Sequence, residues 1–117
     1  MIYATFALLG ATIVAELVSQ QKMTRVTTRH GVDQECDGFW LPEEHRILIL
    51  DGMDPVHTQR VFVHEATHAI LDFMNHDLGK DETFVDNFAG HFHQMWTTFE
   101  APPRRKRKSV AKSRTRA

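Results

Sequence analysis

His64, Glu65 and His68 stand in the string His-Glu-Ala-Thr-His, and these residue types at this spacing can hold a metal and activate water. Histidines four apart share one face of an α-helix, one turn above each other. Their imidazoles can bind one Zn²⁺, while Glu65, one position on from His64, reaches the water that such an ion carries. Five residues with two free positions recur by chance. The string therefore predicts a zinc peptidase only if the chain also supplies a helix, a third ligand and a group to orient the histidines.

The helix is legible. Asp54-Pro55 is an N-cap followed by proline at the first helical position. Val56, Val63, Ile70 and Met74, with Phe62, Ala66, Ala69 and Phe73, keep helical spacing to about residue 75. Asn75 to Lys80 breaks the pattern, and Gly79 suits a turn. A second helix is predicted from Asp81 to about Phe99, with Phe84, Val85, Phe88, Met95, Trp96 and Phe99 on its apolar side. On it Glu82, Asp86, Ala89, Gly90 and His93 fall on one stripe. Antiparallel packing would bring Glu82 to the metal as third ligand. Asp86, one turn on, would accept the free N–H of a ligating histidine. His93 shares the stripe, so it is a rival third ligand, or a group at the mouth of the site that hydrogen-bonds a substrate or a tetrahedral intermediate.

Glu82-Thr83-Phe84-Val85-Asp86-Asn87-Phe88-Ala89, following His64-Glu65-Ala66-Thr67-His68, resembles the ImmA/IrrE-type gluzincin metallopeptidases. It is most similar to their small single-domain forms encoded by bacteriophages and prophages. The resemblance covers roughly residues 8–100, is specific in the two helices and weak before residue 34. It implies His64, His68 and Glu82 as zinc ligands, Glu65 as general base, and Asp86 at the small polar position after the family's alanine, where this chain has Val85. It also implies a protein or peptide substrate and a location in the cytoplasm of a bacterial host cell. The segment Gly90-His91-Phe92-His93 is loosely similar to SprT-like proteases, which use three histidines, and keeps His93 in play. The remaining histidines His30, His45, His57 and His76 read as ordinary surface or core residues.

Upstream of the helices, residues 1–18 are apolar but lack a leading Lys or Arg, and Glu16 interrupts them. They read as two strands meeting at Gly10 rather than as a targeting or membrane segment. Residues 19–38 are polar, with Gly31 and Asp37-Gly38 as turn signals. Phe39-Trp40-Leu41 and Arg46 to Leu50 read as a hairpin around Pro42-Glu43-Glu44, its second strand apolar enough to be buried. The expected fold is α+β: a small N-terminal antiparallel sheet packed on two helices that carry the zinc site, a minimal zincin-like domain over residues 1–100. The single Cys36 excludes an internal disulfide and a cysteine-rich zinc site.

Charge is divided sharply. Residues 1–100 hold six Lys/Arg against all fifteen Asp/Glu, whereas residues 101–117 hold eight Lys/Arg and no acid. The tail is too polar to bury a core and is expected to be disordered. It reads as a solubilising end, as a partner for the acidic body, or as a sequence-independent nucleic-acid arm through residues 104–116. The rival to an active peptidase is thus a phage regulatory or nucleic-acid-binding protein with a zincin-like fold and no turnover. No membrane partner is expected.

Overall fold

The computed structural model describes residues 1–103 of the 117-residue chain. Strands β1 (Ile2–Leu8) and β2 (Ala11–Val18) form an antiparallel hairpin closed by Leu9 and Gly10. Both turn residues have positive φ, 49° and 82°, as a tight two-residue type I′ connection demands. Glycine adopts that angle without strain, which fixes the turn at Gly10. Along β2, Ile13 and Ala15 are buried while Thr12 faces solvent, the alternation a half-buried strand requires.

Strands β3 (Gly38–Leu41) and β4 (Arg46–Leu50) form the second hairpin, joined through a 3₁₀ turn at Pro42–Glu44. The strand order is β1-β2-β4-β3, and β2 runs parallel to β4. The sheet is therefore mixed, which corrects the purely antiparallel sheet expected from sequence. The reason lies in β4. Ile47, Leu48 and Ile49 are each at most 1% exposed, so both faces of this strand are covered, and only a central strand meets that demand.

Setting β4 beside β2 requires the intervening chain to cross a face of the sheet. Helix α1 (Gln20–Arg29) makes that crossing. It is a third helix, where sequence led us to expect two. Ser19 caps it by accepting a hydrogen bond from the Lys22 N–H. Its Met23 and Val26 pack with Val18, Leu41 and Leu48 on one face of the sheet. On the other face Ile13, Ala15, Ile47 and Ile49 pack against Val61, Phe62 and Ala66. The α+β class holds, as three layers with the sheet in the middle.

Helix α2 (Pro55–Phe73) supplies that second face. Its N-cap Asp54 accepts from the His57 N–H at 2.9 Å, a contact typically worth about 1 kcal/mol. A 3₁₀ turn at Asp77–Lys80 leads to α3 (Glu82–Thr98), where Asp81 accepts from the Phe84 N–H at 3.1 Å. The two helices run antiparallel, since Glu82 at the start of α3 meets His68 and His93 near its end meets Gln59.

The edge strand β3 lies close upon α2 at Gly38. A Cβ there would stand 2.5 Å from Val61 Cγ1 and 2.9 Å from Glu65 Cγ. Alanine is favoured over glycine within a strand by about 0.5–1 kcal/mol, but overpacking of this kind costs about 1–3 kcal/mol. Sterics win, so Gly38→Ala is expected to lower the urea midpoint. An unchanged midpoint would mean that β3 shifts outward freely.

Among the described residues no helix is long and apolar enough to cross a membrane. Residues 101–103 are exposed and without regular secondary structure. The expected basic arm at 104–116 lies outside the described residues.

Candidate metal centre

The middle of α2 and the first turn of α3 bring three side chains together. One ligand atom each from His64, His68 and Glu82 lies within 4.8 Å of the others, a set that could hold a metal ion. Glu82 Oε1 is 3.2 Å from His64 Nε2, and Oε2 is 2.9 Å from His68 Nε2. Both imidazoles thus turn Nε2 toward one carboxylate, an arrangement that two ligands of a single ion can adopt.

The other nitrogens are held from behind. His68 Nδ1–H donates to the Gly79 carbonyl at 2.8 Å. His64 Nδ1 faces Asp86 Oδ1 at 3.5 Å. The Gly79 contact favours the His68 tautomer whose Nε2 carries a lone pair, while Asp86 stands behind His64 only at ion-pair distance. Two imidazoles and a carboxylate are also the donor set that suits zinc with one coordination position left over. Glu82 opens α3, where the positive end of the helix dipole favours a carboxylate.

Glu65 is different in kind. It sits on α2 beside His64 but is only 8% exposed, tucked under Gly38 of β3. Burial, and then the nearby Glu82 carboxylate, push its pKa up from 4.5 to about 8. A buried carboxyl next to three prospective ligands fits a proton-transfer group.

These residues line a cleft of about 620 Å³ between α2, α3, β3 and the segment leading into β3. Its volume is in the range of small-molecule and peptide sites. Glu82 and Asp86 are well exposed, His64 and His68 far less so, so the cluster opens to solvent from the α3 side. Ala89 and Gly90 line the wall with a methyl group and bare backbone.

His93 is placed apart. It is 6% exposed, and its Nε2 lies 2.9 Å from Gln59 Oε1. It is outside the three-residue cluster and does not line the cleft. Its position on the stripe of Glu82 is real, but 11 residues along a helix amount to about 16 Å of rise, too far to share the ligand set.

Three residues that the sequence reading passed over do line the cleft: Asp37, His57 and Arg60. His57 Nε2 is 3.0 Å from Asp37 Oδ2, tying the entry to β3 onto the first turn of α2. A signal for two of them was available. His57, Arg60, His64 and His68 recur at three- and four-residue steps, one face of α2.

Comparison with protein-family models, with curated proteins and with solved structures found no match to this chain.

Proposed function

We propose that this chain is a zinc-dependent endopeptidase of minimal zincin-like design, of the compact gluzincin type its two helices resemble, acting in the cytoplasm of a bacterial host. The observation that carries the reading is the convergence of His64, His68 and Glu82 with a buried Glu65 beside them. When bound, zinc would supply Lewis acidity, making a nearby water far more acidic and polarising a carbonyl. His64 and His68 present Nε2, with the Gly79 carbonyl holding the His68 ring from behind and Asp86 standing behind His64. Glu65, pushed toward neutrality in the metal-free chain, would ionise with positive charge held close by. It then takes a proton from the attacking water and returns it to the leaving amine.

The cleft supports a peptide as the reactant. Strand β3 is at the sheet edge, paired on one side only, and its Gly38, Phe39 and Trp40 line the cleft. An extended chain can add to such an edge through main-chain hydrogen bonds. A role in which metal merely holds the fold gives Glu65 nothing to do, since burying that carboxyl costs stability without adding a ligand.

The decisive experiment uses the full chain loaded with one equivalent of zinc and an unfolded protein as substrate. Cleavage is expected, lost on chelation and restored by zinc. A zinc-loaded protein that leaves both unfolded protein and mixed peptides intact would refute the reading.

A further inference from the structure

Helix α3 has a second face that the metal centre does not use. Phe84, Phe88, Phe92 and Trp96 stack in sequence along it, with ring centroids 6.1, 6.2 and 6.4 Å apart and planes within 17°. Phe88, Phe92, Met95, Trp96 and Phe99 are 40–65% exposed. At 100° per residue, Phe88, Phe92, Met95 and Phe99 fall within an arc of about 60°, and Asp86 and Gly90, which line the cleft, point roughly the opposite way. The chain is 25% charged, yet residues 87–99 contain no Asp, Glu, Lys or Arg. A long exposed apolar stripe without a charge is an interaction surface, not an ordinary solvent face.

We infer that this outer face of α3 is where a second copy of the chain docks, by antiparallel packing about a two-fold axis near Phe92. Residues spaced by four form a ridge, and two such ridges interdigitate when identical helices cross. An isologous pairing needs only a surface that complements itself. The stripe does, with no charge that a foreign partner would have to match. At 150–250 Å² for a buried aromatic, the five exposed side chains offer on the order of 500 Å² per copy. The pair buries about 1,000 Å², the size at which specific interfaces begin. Antiparallel pairing follows from charge. Each α3 is followed by a segment with eight Lys/Arg and no acid, and parallel helices would set two such segments side by side. Antiparallel ones set the helix ends apart by about 20 Å, more than twice the screening length in physiological salt. The clefts stay open, and the pairing does not depend on metal.

Sedimentation equilibrium of the full chain, from about 1 µM to about 200 µM so as to bracket a micromolar Kd, tests this. The expected result is a reversible approach to twice the 13.5 kDa chain mass, insensitive to added salt. Phe92→Glu sets two carboxylates together at the axis and should weaken association at least about tenfold. Met95→Glu, at a more exposed position, should do the same and serves if Phe92→Glu does not fold, as judged by circular dichroism. Leu9→Glu, at the exposed hairpin tip, should leave association unchanged. A wild-type chain still monomeric at the top concentration overturns the proposal. So do α3 variants that associate normally, or a Leu9→Glu variant that does not. Binding of a monomer to anionic vesicles, lost in Phe92→Glu, would assign the face to lipid and overturn it equally.

Discussion

Glu65→Gln is expected to slow peptide hydrolysis by about 10²–10⁴-fold while leaving the fold and the zinc content intact. Glutamine matches glutamate in size and fits the same buried place beneath Gly38, but it cannot accept a proton. Loss of a general base typically costs 10²–10⁴-fold in rate, so residual turnover at about that level below wild type is the expected reading. Cleavage at the wild-type rate would remove Glu65 from the mechanism. The same substitution has a second, opposite effect in the metal-free chain. The folded-state pKa of Glu65 is raised from 4.5 to about 8, so between those values the folded chain keeps a proton that the unfolded chain has released. Stability then falls as pH rises through that window. It is fully present below pH 4.5 and lost by pH 8. Metal-free wild type should therefore weaken from about pH 5 to about pH 8, while Glu65→Gln should not, the gap reaching a few kcal/mol. Urea denaturation of both apoproteins at the two pH values measures it. Parallel pH dependences would show that Glu65 ionises in the fold without penalty.

Activity lost and stability gained together, from a change of carboxylate to amide, would mark Glu65 as a group kept for chemistry and not for the fold.

The cluster of His64, His68 and Glu82, which could hold a metal ion, was legible because its signals are local. Asp54-Pro55 and Asp81 announce two helix starts, and four-residue spacing places His64 over His68 without knowledge of the fold. Glu82 needed one further step, the antiparallel return of α3, which the short connection from Asn75 to Lys80 all but dictates. The hairpin at Gly10 and the pairing of β3 with β4 are equally local. Helix α1 was not legible. It buries only Met23, Val26 and Thr27, too few apolar positions to show a period, and its threonines favour strands or caps as readily as helix. Ser19 as N-cap and Gly31 just past the C-cap were the clues. The parallel pairing of β2 with β4 was hidden for a different reason. Val14 and Arg46 are partners across a stretch that no turn spans, and register over such a distance is set by packing on both faces. His93 shows the limit of periodicity, which reports the side of a helix but not the distance along it.

That limit bears on the third ligand, where Glu82→Ala and His93→Ala should part company. Glu82 reaches both His64 and His68 within 3.2 Å, so its removal leaves two ligands and an open edge. Losing a group that only orients a ligand typically costs 10–100-fold in metal affinity, and losing the ligand itself should cost more than about 100-fold. His93 instead bonds Gln59 in a buried place. Its removal strands a polar partner at a cost of about 1–3 kcal/mol and should lower stability while one zinc per chain remains. Asp86→Ala should fall between them, keeping zinc with the weaker affinity of an unsupported His64. Zinc content after dialysis, and competition against a chromophoric chelator, rank the three variants. Zinc retained by Glu82→Ala and lost by His93→Ala would reverse the assignment and require α3 to slide by about three turns. Zinc lost by both would mean that the contact between His93 and Gln59 sets the helix spacing on which the metal centre depends.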